Sequence, residues 1–310
     1  MPIEEGIVYK STGSWYVVKT ASNRFIECKI KGKLRIEGIK STNPVAAGDK
    51  VIIETSLSDQ TGVITNIVDR KNYIVRKSIN LSKQSQILAA NIDQALLMAT
   101  LVLPETSTEF VDRFLAMAEA YNIPAIILLN KCDLYTQEFS ELLNFWKEIY
   151  NTTNYKLLEI SVGSGIQMEA VKNLLIDKVT LIAGNSGVGK SSLIKKLSPE
   201  SQIRIGEISQ YHHSGKHTTT FAEMYELPFG GAIIDTPGIK GFGLYDTAKT
   251  EIYHFFPEIF KVAEKCQFHN CLHINEPKCA VIEAVEKQTI HWSRYKSYLS
   301  ILEDSKSKYR

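Results

Sequence analysis

The chain has 310 residues, room for about two domains at the usual 100–200 residues each, and its 44% apolar and 23% charged residues are the proportions of an ordinary globular protein. Its longest apolar runs, Ala125–Leu129 and Val179–Ala183, are strand-sized and far below the ~20 residues of a membrane-crossing helix. The acidic opening MPIEEGIVYK lacks the apolar stretch of a secretory signal, so a cytoplasmic chain without a membrane partner is expected, and a net charge of +2 excludes any global argument for nucleic acid.

Residues 1–70 contain short β-branched or aromatic runs, GIVYK, SWYVVKT, RFIECKI, KLRIEG, KVIIET and TGVITNIV, punctuated by glycines. Closely spaced short strands predict a small barrel, and five or six of them fit an OB-like one. Residues 1–78 hold thirteen Lys/Arg against eight Asp/Glu, a local +5, and KIKGKLR at 29–35 concentrates four cations. Such a run is either a solvated strand face or a phosphate-contacting patch. Residues 71–91 read as a polar, basic connector without a strong element.

From residue 92 strands and helices alternate: IDQALLMATLV, then the helical TSTEFVDRFLAMAEAY with a Thr106–Glu109 capping box, PAIILLN, EFSELLNFWKEIY, YKLLEIS, IQMEAVKNLLIDK and VTLIAG. This alternation predicts a parallel sheet covered on both faces. The strands TFAEMYEL and GAIIDTPG follow, and from about 248 the chain reads as helical, ending in an amphipathic segment.

Gly184-Asn185-Ser186-Gly187-Val188-Gly189-Lys190-Ser191 has the pattern G-x4-G-K-[ST], with a strand leading in and the helix SSLIKKL, which begins with Ser191 and Ser192, leading out. In that setting the loop's N–H groups converge on phosphate oxygens, Lys190 reaches the β- and γ-phosphates, and Ser191 ligates Mg²⁺. Asp235 of DTPG closes an apolar strand and is expected to hold Mg²⁺ through water, with the Gly238 N–H facing the γ-phosphate. Between them, GEISQYHHSGKHTTTFAEM suits a switch loop, in which Thr219 or Thr220 would bind Mg²⁺. Asn130-Lys131-Cys132-Asp133 follows a buried-type strand. Its Asp133 can accept the guanine N1–H and N2–H2, with Asn130 and Lys131 as buttresses, while Ser161 and Val162 stand in a second base-flanking loop. The base-reading loops precede the phosphate loop, so the chain is expected to be a GTPase core in circularly permuted order, joined through IQMEAVKNLLIDK.

Five cysteines are present. Cys266, Cys271 and Cys279 cluster with His273 as C-x4-C-x-H-x5-C, and three thiolates with one imidazole satisfy tetrahedral zinc. His269 is an alternative fourth ligand.

Together these features resemble the ribosome small-subunit-dependent GTPase A family of bacteria over nearly the whole chain: a barrel, NKCD ahead of GNSGVGKSS, the loop GKHTTT, DTPGIKGFGL and the Cys/His cluster. The resemblance favours His273 over His269 as the fourth ligand of one structural zinc. It implies a GTP hydrolase in late small-subunit maturation that binds the small ribosomal subunit and its rRNA, is stimulated by that subunit, and is a monomer away from it. It also points to His217 as the catalytic, water-orienting residue. Ile239 stands where many GTPases carry a glutamine and cannot hydrogen-bond.

The expected architecture is multidomain: an OB-like barrel at 1–70, the connector 71–91, an α/β P-loop GTPase domain in circularly permuted order at 92–247, and a helical zinc-binding domain at 248–310. GTP or GDP with Mg²⁺, and one zinc, are the expected ligands. A nucleotide-switch regulator with a protein partner and no RNA role is the alternative; NKCD argues against an ATPase.

Overall fold

In the computed structural model, which describes residues 2–32, 43–55, 61–77, 85–153, 155–199, 222–236, 244 and 247–307, the chain divides into two units. The first comprises Met1–Leu96, Gln167–Gly184 and Gly189–Ile239; the second comprises Leu97–Ile166, Asn185–Val188 and Lys240–Arg310.

Alternating apolar residues build the barrel of the first unit from β1 (Ile3–Ser11), β2 (Tyr16–Thr20), β3 (Phe25–Ile30), β4 (Lys50–Thr55) and β5 (Thr61–Ile67). They run in the order β1-β2-β3-β5-β4, and a β1–β4 pairing closes the ring. Among these described strands only β3 and β5 pair in parallel, which gives an OB-like arrangement of the kind expected from five or six short strands. Val8, Val18, Cys28, Val51, Ile53 and Ile64 fill it without exposure, because every second residue of a strand faces inward. A Cβ on Gly62 would lie 2.8 Å from the Cys28 sulfur, so the glycine makes room for the thiol. The KLRIEG segment, 33–38, lies outside the described residues. Of the basic run, Lys29 covers the Trp15 ring at 4.3 Å and Lys31 lies 4.0 Å from Glu54.

The connector is not featureless. It carries β6 (Tyr73–Lys77) and β7 (Ser85–Ala90), an antiparallel pair with Tyr73 opposite Ala90. Its apolar face is small, Ile74, Ile87 and Ala89, and is scattered among cations and amides, which is why periodicity did not reveal it.

The same unit holds β11 (Val179–Gly184), β12 (Glu223–Glu226) and β13 (Ala232–Asp235), in the order β11-β13-β12-β1. β11 and β13 are parallel as expected, whereas β12 is antiparallel to both β13 and β1. Glu223 pairs with Lys10 of the barrel on one side and with Asp235 on the other. Lys10–Glu223 and Lys19–Glu226 ion pairs and a 2.9 Å bond from the Tyr9 hydroxyl to Glu226 reinforce this seam. Barrel and core strands therefore share one hydrogen-bond ladder. The segment joining α3 (Met168–Leu175) to β11 is braced by the turn before β13. Gly231, at φ 83, approaches so closely that a Cβ would stand 2.4 Å from the Leu175 carbonyl oxygen. α4 (Lys190–Leu197) follows β11.

β8 (Gln94–Ala99) begins in the first unit and ends in the second, where β9 (Ala125–Leu129) and β10 (Lys156–Glu159) continue in the order β10-β9-β8. β9 and β10 are parallel. α1 (Thr108–Ala120) and α2 (Ser140–Asn151) belong to this unit. The expected capping box is shifted by one residue: Ser107 caps α1, accepting from the Phe110 N–H. Thr106 instead accepts from the Thr100 N–H, and Glu109 turns to Arg113 and Ser300. After a 3-10 segment, Lys249–Phe255, come α5 (Pro257–Ala263), α6 (Ala280–Glu286) and α7 (Trp292–Ser307). Ile252, Phe256, Ile259, Val281, Tyr298 and Leu302 pack together with Ala116 of α1.

α7 is fastened to α1 and α5 by a fully buried charge. Arg294 donates to Asp112 at 2.8 Å and to Glu258 at 2.7 Å, while Ser297 and Tyr150 also donate to Asp112. Burial alone would lower the Arg294 pKa, but the two carboxylates outweigh it and push it up. Breaking one side of such a pair strands the other charge. Arg294→Leu is expected to cost about 3–5 kcal/mol of stability, read as a fall in denaturant midpoint, with a smaller loss for Asp112→Asn, which keeps its hydrogen-bonding shape.

Candidate nucleotide site and Cys3His cluster

Asn130, at the end of β9, is 2% exposed and uses every polar group it has. Its N–H donates to Ala99 at 2.8 Å and its carbonyl accepts from the Tyr135 hydroxyl. Its side-chain oxygen accepts the Val162 N–H at 3.0 Å, and its side-chain nitrogen donates to the Val188 carbonyl at 2.8 Å. One carboxamide thus spans the NKCD turn, the Ser161–Val162 loop and the GNSGVGKS loop. Lys131 takes a left-handed φ of 65° and starts the 3-10 turn Cys132–Leu134, which leaves Asp133 exposed. The Lys131 ammonium donates to the Leu103 carbonyl, and the Cys132 N–H to Ile160. Buried Ser161 accepts from the Ser164 N–H, fixing the second loop. An exposed carboxylate beside two immobilised loops can accept paired N–H donors from a planar base.

The phosphate-loop sequence places glycines where the backbone demands them. Gly184, Gly187 and Gly189 have φ of 145°, 84° and 106°, conformations that cost a side-chain-bearing residue energy. Gly189 caps the N-terminus of α4, where free N–H groups and the helix dipole favour an anion. Val188 is fully buried as the loop's anchor, Asn185 and Gly189 are half-buried, and Ser186, Ser191 and Ser192 are exposed.

Lys190 is half-buried, and its ammonium donates to the Gly184 carbonyl at 2.7 Å. Burial lowers its pKa, opposed by Asp235. Asp235 shows the mirror image: burial raises it, with Lys190 opposing and Glu223 adding. Its Oδ1 is buried with no hydrogen-bond partner among the described residues. A bare buried carboxylate oxygen is costly, and it fits a site completed by a cation with its water shell; Ser191 on the first turn of α4 supplies a hydroxyl of the right type. His217, Thr219, Thr220 and Gly238 lie outside the described residues.

In the C-terminal segment Cys266, Cys271, His273 and Cys279 converge, with their ligand atoms within 4.8 Å of one another. Sulfur separations are 3.9 Å for Cys266–Cys279 and 3.7 Å for Cys271–Cys279, and the His273 Nδ1 lies 3.6 Å from Cys266 and 3.4 Å from Cys279. Zinc bonds of about 2.3 Å to sulfur and about 2.05 Å to nitrogen give tetrahedral edges of about 3.8 and about 3.6 Å, so the donor set fits. His269 is not in the group, which answers the choice left open by spacing. Burial lowers the His273 pKa, keeping the imidazole neutral, and raises the Cys271 thiol to about 12. Burial likewise raises the Cys279 thiol, so a bound cation is what would favour the thiolate form of these two residues.

Three residues that spacing could not flag shape this cluster. Glu276 accepts the N–H groups of Leu272, Ile274 and Asn275. The Tyr295 and Tyr298 hydroxyls each donate at 2.6 Å, to the carbonyls of His273 and Leu272. They hold His273 at its left-handed φ of 56°. The only prior sign was a glutamate in the turn-like HINEP.

Residues 67–245 match the RsgA GTPase family, and residues 5–64 match the RsgA N-terminal domain. The chain is 52% identical over 308 residues to the small ribosomal subunit biogenesis GTPase RsgA of Christiangramia forsetii, spanning 99% of this chain and 98% of that relative. It is 53% identical over 307 residues to the small ribosomal subunit biogenesis GTPase RsgA 2 of Bacteroides thetaiotaomicron, spanning 99% of both. Among solved structures, YjeQ from Thermotoga maritima superposes with a TM-score of 0.76 at 32% identity, covering 98% of each chain. YloQ, described as a circularly permuted GTPase, gives 0.73 at 30% identity, covering 100% of this chain and 97% of that one. Barrel, motif order and full-length similarity agree: the chain belongs to the RsgA GTPase family.

Proposed function

We propose that this protein hydrolyses GTP to GDP and phosphate as a late maturation factor of the small ribosomal subunit, binding that subunit through its rRNA and turning over faster when bound. The observation that carries the reading is similarity over 99% of the chain to a relative named for small-subunit biogenesis. The barrel's OB-like form and its local excess of cations support an RNA-facing role. Action on the subunit fits a cytoplasmic protein that is monomeric between encounters. The domains are proposed as 1–70, 71–91, 92–247 and 248–310.

In this reading Asp133 accepts the guanine N–H pair, with Asn130, Lys131, Ser161 and Val162 fixing the base. The N–H groups from Gly184 to Ser192 surround the phosphates, and Lys190 places its ammonium against the β- and γ-oxygens. The set Ser191, Thr219 or Thr220, and Asp235 would hold Mg²⁺, and the orphaned Asp235 oxygen supports that set. When bound, Mg²⁺ neutralises charge between the β- and γ-phosphates. Gly238 would donate to the γ-phosphate, and His217 would orient the attacking water, since Ile239 cannot. One zinc on Cys266, Cys271, His273 and Cys279 would be structural, because protein fills all four positions.

GTP turnover measured with and without purified small subunits tests the main reading. A clear rise with subunits is expected, and an unchanged rate points to the protein-partnered switch instead. Metal analysis should find one zinc per chain, and Cys279→Ser should lose it along with much of the cooperative unfolding of the C-terminal helices; a metal-free, fully stable protein rules zinc out.

A further inference from the structure

We propose that Tyr135 is a positioning residue for guanine: its hydroxyl sets the Asn130–Asp133 turn against the loop Leu101–Pro104 and so governs nucleotide affinity without taking part in hydrolysis. The hydroxyl works in both directions. It donates to the Asn130 carbonyl and accepts the Leu101 N–H at 3.2 Å. The Tyr135 N–H meanwhile donates to the Cys132 carbonyl at 3.2 Å. The turn that presents Asp133 is therefore closed at its far end by the backbone of Tyr135 and at its near end by the side chain of the same residue.

The partner loop matters because it touches both halves of the nucleotide machinery in this unit. Its Leu103 carbonyl receives the Lys131 ammonium. Its Pro104 ring lies 3.4 Å from where a Cβ on Gly187 would stand. Thr100 ties the loop back on itself, donating to the Pro104 carbonyl and, through its N–H, to Thr106. Through Tyr135 the base-reading turn is registered on a loop that also abuts the phosphate loop. Burial raises the phenol to about 12, with the Leu101 N–H opposing, so the hydroxyl keeps its proton and remains a donor at neutral pH. A phenylalanine would fill the same space and lose both bonds.

The inference rests on the proposal that Asp133 reads guanine, and the two can be separated. GDP and xanthosine diphosphate affinities, measured by calorimetry on full-length wild type, Asp133→Asn, Tyr135→Phe and the double variant, are combined with kcat and KM for GTP. Asp133→Asn should shift preference from GDP to xanthosine diphosphate; if it does not, the base reading fails and the Tyr135 proposal falls with it. Tyr135→Phe should weaken GDP binding and raise KM by about tenfold, the equivalent of about 1.4 kcal/mol for two lost hydrogen bonds, with kcat unchanged. In the double variant the same factor should appear for xanthosine diphosphate, since the hydroxyl positions the turn rather than choosing the base. With the base preference switched as expected, unchanged GDP affinity in Tyr135→Phe overturns the proposal. So does a fall in kcat as large as the fall in affinity. Zinc content and thermal midpoint verify folding, and a midpoint loss without an affinity loss assigns the hydroxyl a purely structural role and overturns the proposal.

Discussion

The carboxamide of Asn130 holds together three loops that the chain visits in an unusual order. Its oxygen takes the Val162 N–H and its nitrogen reaches Val188, 58 residues further on. A hydrogen bond responds to distance and angle, not to which loop was synthesised first. Permutation therefore changes only the connectivity between elements that must meet anyway, and closure entropy rises slowly with the length of chain between them. The new requirement falls on the joint. Leu175 to Val179 must turn tightly enough to feed β11, and Gly231 permits it by bringing backbone against backbone. Geometry at the base-reading end is preserved because one buried side chain enforces it; topology at the other end is tolerated because one residue lacks a side chain.

The molecule buries charge in three ways, each compensated differently. Arg294 is neutralised by two carboxylates, one of which also accepts the Ser297 and Tyr150 hydroxyls, which makes a permanent clamp between α7, α1 and α5. The Cys3His group brings four donor atoms together at separations that suit one metal ion. Asp235 and Lys190 are intermediate: each offsets part of the other's burial, yet one carboxylate oxygen has no hydrogen-bond partner among the described residues. The fully matched set is structural, and the incompletely matched set lies where a ligand is expected to come and go. Incomplete matching is what allows a site to be emptied and refilled without unfolding.

Short-range features were legible from the residues, and long-range ones were not. GNSGVGKS could be placed because a strand enters it and a helix leaves it, both within a few residues. NKCD could be placed because it follows an apolar strand. The cysteine spacing identified a metal-type cluster but could not choose between His269 and His273, since both lie within reach along the chain; the fold decides by turning His273 inward on Glu276, Tyr295 and Tyr298. The capping box failed by one residue because Thr106 had a better partner in Thr100, a tertiary contact that local pattern does not encode. Strands β6 and β7 were hidden by polar residues, and while β12 turns back on β13 as a local hairpin, its second partner, β1, lies more than 200 residues away. The bond from Tyr9 to Glu226, 217 residues apart, belongs to the same class. Nothing in the local pattern around Tyr135 encodes the two backbone partners of its hydroxyl, Asn130 and Leu101.

The pairing of Glu223 with Lys10 on one side and Asp235 on the other places barrel and carboxylate on a single row of the sheet. Adjacent strands are about 4.8 Å apart, so the row is only about 10 Å long from end to end. Glu223 forms the ion pair with Lys10 and also raises the pKa of Asp235. The edge of the barrel and the strand end that carries Asp235 are therefore held in one register, so the position of that carboxylate is set by the barrel wall two strand spacings away.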